Sequence, residues 1–452
     1  MTAGLEAHDF AGCLADVEVP GAWALAVSGG SDSTALMLLA ADWARAEKHS
    51  LPLVVSVDHA LRAGSRDEAR TVAGWARDLG LCHTLLTWEG SKPTANVQSA
   101  ARNARYRAIG DWCLSQNVAA VFAAHTLDDQ AETVLLRLAR GSGVDGLSAM
   151  SKLSAWPIPD RAYADLRLVR PLLGIERARL RATLVARRQA WLDDPSNEDT
   201  RFERVRVRET LGVLASLGIT ASGLAATARR LQRARDALER DATALWDEAA
   251  ALHPAGAVLL DGALLAEAPA EIAVRALARA LYSVGSVVPR HHRLVALYEA
   301  LCGRGPFGAG RTLAGCRIVR EAGRVAVLRE PRALARRLAA EPARTWGLGE
   351  SVFWDNRFEV RFAGAGSPRH GFVGPLGRNA ASKLMRDNAA FRDALEPLGI
   401  AAAETLPGFW EAGALLAVPF VGLLECDPWA RALPEAAQFS ATFLPKVEWL
   451  SR

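Results

Sequence analysis

Apolar positions change their spacing along the chain, and the changes divide it into three parts. Up to about residue 160, short apolar runs alternate with segments whose apolar residues recur every three to four positions. Ala22-Trp-Ala-Leu-Ala-Val27, Leu53-Val-Val-Ser-Val-Asp58, Leu85-Leu-Thr-Trp88 and Val118-Ala-Ala-Val-Phe-Ala-Ala124 predict four strands. Helical patterns follow them. One runs through Ala35 to Ala41, and another is opened by Ser65-Arg-Asp-Glu68, which has capping-box spacing, and runs toward Leu79. Strand and helix repeated this way predict a parallel sheet with helices on both faces. Ligands of such sheets sit at the carboxyl ends of the strands, where strand order reverses.

From about 161 to 335 the chain is rich in Ala, Leu and Arg and reads as mostly helical. Beyond about 340, Trp354-Asp-Asn-Arg-Phe-Glu-Val-Arg-Phe362 alternates as one strand should, and Gly and Pro punctuate the rest. The expected fold is therefore α/β. A doubly wound parallel-sheet domain (1–210) is followed by a mainly helical domain (211–335) and a small α+β domain (345–452), with the stretch Glu330 to Arg344 as the connection.

Length supports the division, because 452 residues exceed one ordinary core. Half the residues are hydrophobic and 23% are charged, as in a soluble globular protein. The net charge of +4 says little until it is located. Residues 161–240 hold 17 Arg, no Lys and 10 acidic residues, so the basic charge concentrates in the middle of the chain and suits an acidic partner such as nucleic acid. Cys13, Cys82, Cys113, Cys302, Cys316 and Cys426 include no Cys-x-x-Cys pair, which argues against a zinc knuckle or a dithiol redox centre. The first residues, MTAGLEAHDFAG, lack a basic region followed by an apolar run, so no signal peptide is expected. The apolar stretch Leu415 to Leu424 is far shorter than the ~20 residues of a membrane span. A cytoplasmic location without membrane contact is expected.

The candidate chemistry begins at Ser28-Gly-Gly-Ser-Asp-Ser33, between the first strand and its helix. Gly29 and Gly30 let the backbone turn tightly, and the helix start offers N–H groups and the positive end of its dipole to a phosphate. Ser28, Ser31 and Ser33 add hydroxyl donors. Asp32 among phosphates would be repelled unless a cation intervened, so its natural role is to hold Mg²⁺. The pattern Gly-x4-Gly-Lys-Ser/Thr is absent.

Further motifs follow later strands. Val57-Asp-His-Ala-Leu-Arg62 puts Asp58 and His59 at the sheet edge, where an adenosine could bind. Arg102 and Arg105, in Asn96-x5-Arg-x2-Arg-Tyr106, share a helix face and could clamp a phosphate or stand as a solvated basic face. Ala124-His-Thr-Leu-Asp-Asp-Gln-Ala-Glu-Thr133 sets Asp128, Asp129 and Glu132 at the mouth of the site, where carboxylates can orient a metal or accept a proton from an attacking amine. Arg140 to Met150 reads as a flexible Gly-rich segment suited to closing over a ligand. Trp191-Leu-Asp-Asp-Pro-Ser-Asn197 precedes Arg201, Arg204, Arg206 and Arg208.

The loop SGGSDS resembles that of the ATP pyrophosphatase, or PP-loop, enzymes, which activate an acceptor oxygen by adenylation and release pyrophosphate. Together with VDHxLR, HTLDDQAET, RGSGxxGL and DPSN, in that order over about residues 20 to 210, it closely resembles the tRNA(Ile)-lysidine synthetase family. Weaker likeness continues through Arg311-Thr-Leu-Ala-Gly-Cys316 and the Trp354 to Phe362 segment. The resemblance implies adenylation of the C2 oxygen of the wobble cytidine in a CAU-anticodon tRNA(Ile), then displacement of AMP by free L-lysine to give lysidine, with ATP and Mg²⁺ as cofactors. Residue readings and resemblance together assign Ser28, Gly29, Gly30, Ser31, Asp32, Ser33, Asp58, His59, Arg102, Arg105 and His125 to the nucleotide. They assign Asp32, Asp128 and Asp129 to the metal, and Asp32, Asp129, Glu132 and Arg204 to catalysis.

The chain departs from the family where Val205 follows Arg204, since an Arg-Asn pair is expected there. A sulfur-inserting tRNA enzyme would carry SGGKDS and paired cysteines, and this chain has Ser31 and no such pairs. An amidotransferase would need a glutaminase domain, which is not expected in the 27 residues before the loop. A non-catalytic RNA-binding protein would have no use for Asp32, Asp128, Asp129 and Glu132, because carboxylates repel RNA. Oligomeric state stays open, with a dimer among the options.

Overall fold

The structure, a computed structural model, describes residues 3–18, 21–58, 65–88, 97–158, 160–193, 201, 203–303, 307–340, 344–345, 351–363, 371–396, 398–411, 413–420 and 438–445. Contacts gather the chain into two compact units, Met1–Asp236 and Ala237–Leu450, and the boundary lies within a long helix.

The first unit alternates as its sequence predicts. Its elements run α1 (Ala7–Leu14), β1 (Trp23–Ala26), α2 (Ser31–Ala46), β2 (Leu53–Asp58), α3 (Ser65–Asp78), β3 (His83–Thr87), α4 (Val97–Ser115) and β4 (Ala120–Ala123). After these come α5 (Leu127–Ala139), α6 (Val144–Leu147), β5 (Leu153–Ala155), β6 (Arg167–Val169), α7 (Arg177–Ala186), α8 (Glu203–Ala215) and the long helix α9 (Ala221–Ala249).

The sheet order is β3-β2-β1-β4-β6-β5, parallel except for the edge strand β5. Alternating residues of the central strands feed two separate apolar layers, as a sheet buried on both faces requires. Trp23, Leu25, Val54, Ala120 and Phe122 pack with α1, α2, α3 and α7. Ala24, Val55 and Val121 pack on the other face with Tyr106, Ile109 and Cys113 of α4. Strand order reverses at β1, which is flanked by β2 on one side and β4 on the other. The loops after β1 and β4 therefore open at the switch point, where a ligand cleft forms.

The second unit contains helices of the kind the Ala-Leu-Arg bias predicts, among them α10 (Gly262–Glu267), α11 (Ala270–Gly285) and α12 (His291–Leu301). A five-stranded antiparallel sheet accompanies them, of β7 (Ala250–His253), β8 (Ala257–Asp261), β9 (Arg311–Leu313), β10 (Cys316–Glu321) and β11 (Arg324–Arg329), in the order β7-β8-β11-β10-β9. Its strands are short and lie within an Arg-rich background, which conceals their alternation.

The Trp354 to Phe362 segment is not one strand but a hairpin. Ser351–Trp354 and Phe358–Ala363 pair antiparallel, with Trp354 opposite Phe358. Asp355 and Asn356 adopt positive φ, which Asp and Asn tolerate better than other side chains, and the Arg357 N–H donates to the Trp354 carbonyl at 3.1 Å.

α11 is buried from Ile272 to Gly285 and packs against β8, β10, β11 and α12. Its last residue tolerates no side chain. A Cβ on Gly285 would lie 2.2 Å from the Ala314 carbonyl oxygen and 2.8 Å from Cys316 Sγ. Gly285→Ala is expected to cost about 1–3 kcal/mol of stability. A lowered urea midpoint for the second unit would show it, and an unchanged midpoint would contradict this packing.

Candidate active site

The loop after β1 is held by its own side chains. The Ser28 N–H donates to Ser33 Oγ at 3.2 Å, the Ser33 hydroxyl to the Gly30 carbonyl at 3.1 Å, and the Thr34 hydroxyl to the Gly29 carbonyl at 3.1 Å. Gly29 has φ +88°, and a Cβ there would meet Leu192 Cδ1 at 2.6 Å, so the position requires glycine. Gly30 caps α2 without a side chain, leaving the helix start open to an anion. Ser31 and Asp32 follow, with the Ser31 hydroxyl 3.2 Å from Asp32 Oδ1.

The loop after β4 is a second helix start. Thr126 caps α5, and Asp129 Oδ2 accepts from the Thr126 N–H at 2.8 Å and its hydroxyl at 2.9 Å. This reciprocal box fixes Asp129 at the helix mouth. Glu132, nearly one turn further, is 1% exposed.

What joins the two loops is Arg177, the first residue of α7, which belongs to none of the sequence motifs. The Leu127 N–H donates to the Ile175 carbonyl at 2.9 Å, and the Arg177 N–H donates to Asp128 Oδ2 at 2.8 Å. These bonds hold the starts of α5 and α7 together. The Arg177 guanidinium then reaches Asp32 Oδ2 from Nε at 2.9 Å, Asp129 Oδ1 from Nη2 at 3.3 Å and Glu132 Oε1 from Nη1 at 3.8 Å. Arg208 Nε donates to the same Glu132 oxygen at 2.6 Å, while Glu132 Oε2 is buried without a hydrogen-bond partner.

Electrostatics follow this arrangement. Burial raises the Asp32 and Glu132 carboxyls above the usual range against the pull of Arg177 and Arg208. Burial also acts to raise Asp129, but Arg177 and the Thr126 hydrogen bonds outweigh it and hold that carboxyl below the usual range. For Arg177, burial favours loss of the proton, and Asp129, Asp32 and Glu132 reverse that and raise its affinity.

A basic group lies beside the acidic one. Burial, then Arg170, with contributions from Arg102 and Arg204, drives His125 down to about 3, so it is neutral at physiological pH. Its Nδ1 is buried without a hydrogen-bond partner. Arg105 is depressed by burial and by Arg102 and Arg204, and Arg170 falls to about 10 through burial and the nearby Arg102 and Arg137. Arg102 and Arg105 lie over the Tyr106 ring at 5.0 and 5.8 Å. Crowded like charges with neutral His125 among them make a place for an anion.

The structure thus brings Asp32, Asp129 and Glu132 into one cluster and Arg102, Arg105, His125 and Arg204 into its neighbour. Asp128 does not join the carboxylate cluster, since it is engaged in capping α7 through the Arg177 N–H. Asp58 is buried at the carboxyl end of β2, and His59 and the DPSN segment 194–197 lie outside the described residues. Val205 is buried.

The Gly-rich segment is tied down rather than loose. Arg137 Nη1 donates to the Gly146 and Ala149 carbonyls at 2.7 and 3.0 Å, Gln130 exchanges two hydrogen bonds with the Met150 backbone, and Gln232 of α9 donates to the Ser148 and Met150 carbonyls.

Arg177 and Arg170 carry one signal in the sequence, which is that they follow β6. That strand is only three residues long, too short for its apolar pattern to predict it or to point to its carboxyl end.

Among the described residues, no group of three or more His, Cys, Asp or Glu side chains is arranged to hold a metal ion. Asp32 and Asp129 nonetheless fit one as a pair. Both offer hard carboxylate oxygens, and both already share a single cation, Arg177. No described helix is long and apolar enough to cross a membrane.

Residues 7–214 match the PP-loop domain family. The chain is 38% identical over 431 residues to a tRNA(Ile)-lysidine synthase of Ruegeria pomeroyi, covering 93% of each. It is 45% identical over 282 residues to that of Methylobacterium nodulans, covering 62% of this chain and 80% of the relative. It is 33% identical over 347 residues to that of Wolbachia pipientis wMel, covering 75% of this chain and 77% of the relative. A U34-tRNA thiolase, NcsA, from Methanococcus maripaludis is similar at 15% identity and a TM-score of 0.41, covering 50% of this chain and 77% of that one. With the match to the Ruegeria relative running over nearly the full length of both chains, the protein belongs to the tRNA(Ile)-lysidine synthase family.

Proposed function

We propose that this protein uses ATP to ligate free L-lysine to C2 of the wobble cytidine of CAU-anticodon tRNA(Ile), releasing AMP and pyrophosphate in the cytoplasm. The observation that carries the reading is the meeting of Asp32, from the phosphate loop, with Asp129 and Glu132, from the second loop, around one guanidinium. ATP handling and amine handling then share one site.

In the first step the C2 oxygen of the cytidine attacks the α-phosphorus and pyrophosphate leaves. The N–H groups at the start of α2, with Ser31 and Ser33, hold the departing phosphates, and Asp58 lies toward the adenosine. Mg²⁺ bound by Asp32 and Asp129 would neutralise charge on the phosphates. The basic group Arg102, Arg105, His125 and Arg204 takes the phosphates of the nucleotide and of the anticodon loop. In the second step a lysine amine attacks C2 and AMP leaves. The amine must lose a proton, and the unpartnered Glu132 Oε2, or Asp129 beside it, accepts it. Residues 211–335 and 345–452 are the stretches proposed to hold the tRNA body.

Incubation with ATP, labelled lysine and an unmodified CAU-anticodon tRNA(Ile) transcript is expected to put one lysine into each tRNA, with AMP and pyrophosphate formed in equal amounts. AMP formed on another acceptor, with no lysine in the RNA, would reject the reading.

Arg229, Arg230 and Arg233 are exposed on α9 and suit an RNA backbone. Replacing all three by Ala is expected to weaken tRNA binding, most visibly at low salt. The slope of log affinity against log salt should flatten by roughly 0.7–0.9 for each arginine–phosphate pairing removed. An unchanged slope would move the docking surface elsewhere.

A further inference from the structure

We propose that Arg177 is a resident cation held where the metal goes, and that it moves to the phosphates when the metal–nucleotide complex enters. This deepens the reading of Asp32 and Asp129 as the metal pair and rests on it.

Three features point there. First, all three guanidinium nitrogens address carboxylates, and these come from two different loops: Nε to Asp32, Nη2 to Asp129 and Nη1 to Glu132. A guanidinium so placed does the work of a polyvalent cation. Second, the two cations exclude each other. Arg177 already engages Asp32 Oδ2 at 2.9 Å and Asp129 Oδ1 at 3.3 Å, and a metal ion held by this pair would need the same carboxylates at much shorter range. Third, the carboxylates need a counter-charge at all times. Asp129 and Glu132 are 7% and 1% exposed, and buried carboxylates without cations are costly. Among the described residues, Arg208 pairs with Glu132 alone and Arg177 is the cation that Asp32 and Asp129 share, so the two carboxylates look to Arg177 until another cation arrives.

The exchange has a consequence for binding order. A bare metal ion must displace a tethered guanidinium and leave it without an anion. A metal–nucleotide brings phosphates that receive it, and Arg binds phosphate in bidentate geometry. The free enzyme therefore rejects divalent ions and accepts them together with ATP. The anchoring of the Arg177 backbone on Asp128 fixes the root of the side chain while its end moves.

The test measures Mn²⁺ binding to the full-length protein by electron paramagnetic resonance, with and without a non-hydrolysable ATP analogue. Wild type is expected to bind Mn²⁺ alone weakly and Mn²⁺ with the analogue well. Arg177→Gln is expected to bind Mn²⁺ alone at least about tenfold more tightly than wild type. Its melting temperature, lowered in EDTA, should be restored by Mn²⁺. Arg177→Lys keeps the charge and the fold and should bind Mn²⁺ alone as weakly as wild type. Unchanged affinity for Mn²⁺ alone in Arg177→Gln, or tight binding by Arg177→Lys, overturns the exchange. Asp32→Asn separates this failure from that of the underlying reading. If it weakens Mn²⁺ binding in the analogue complex, the metal pair stands whatever Arg177 does; if it does not, both fall.

Discussion

Asp32→Ala is expected to lower pyrophosphate release by at least about a thousandfold while leaving the protein folded. The size follows from what the residue does. Asp32 stands at the first turn of α2, where the helix start and three serines otherwise offer only positive or neutral groups to phosphate. Without its carboxylate, a metal has one protein ligand in place of two, and charge developing on the leaving pyrophosphate is poorly compensated. A loss of about 4 kcal/mol of transition-state stabilisation gives the stated factor.

The fold should survive, because Arg177 keeps Asp129 and Glu132 as partners and its N–H keeps Asp128. Circular dichroism and the melting temperature should therefore be close to wild type. tRNA affinity should hold as well, since the basic cluster is untouched. Normal turnover in Asp32→Ala would remove the residue from the reaction and leave the loop as a plain phosphate cradle. Asp32→Asn sharpens the result. It retains an acceptor for Arg177 Nε and removes only the charge, so an equal loss assigns the effect to charge and not to packing.

The parts of this site that are legible in the sequence are those that strand–loop–helix punctuation marks. Ser28 to Ser33 and His125 to Glu132 each follow an apolar run long enough to read as a strand, and each opens a helix. The rule that ligands gather at strand carboxyl ends then suffices to place them. Arg177 is illegible for the opposite reason. It is one of 17 arginines between 161 and 240, and the strand before it spans only Arg167–Val169. Its significance comes from a tertiary hydrogen bond, Asp128 to its backbone N–H, which no local pattern encodes. Asp128 illustrates the same limit. Two adjacent aspartates at a helix start look equivalent in sequence, yet one turns inward to the capping box and the carboxylate cluster while the other caps α7. At Trp354 to Phe362 the alternation is real only from Phe358 onward, and the polar run Asp355-Asn-Arg357 before it is the turn, with Asp355 and Asn356 in left-handed backbone. The departure at Val205 is accommodated by burial on α8, where the apolar side chain is covered and Arg204 remains exposed.

Glu132→Gln is expected to separate the two halves of the reaction, slowing lysine transfer by about a hundredfold to ten-thousandfold while leaving adenylation near wild type. Glu132 Oε1 is bound by Arg208 at 2.6 Å, and a glutamine oxygen can keep that bond. Oε2, buried and unpartnered, is the atom that loses its ability to take a proton, because an amide nitrogen there donates instead. The first step does not need this atom, since the cytidine oxygen attacks without giving up a proton to the enzyme. The variant should therefore release about one pyrophosphate per tRNA in a burst and then stall, with adenylated RNA accumulating and labelled lysine entering slowly. Glu132→Ala should do worse on both counts, because it leaves Arg208 without its carboxylate partner. If both steps fall together in Glu132→Gln, the residue organises the site through Arg177 and Arg208 and is not the proton acceptor. If neither falls, Asp129 is left as the acceptor. Asp129 is the poorer base of the two, because Arg177 and the Thr126 hydrogen bonds hold its carboxyl low, whereas burial lifts Glu132 toward the range in which a carboxylate can take a proton from an attacking amine.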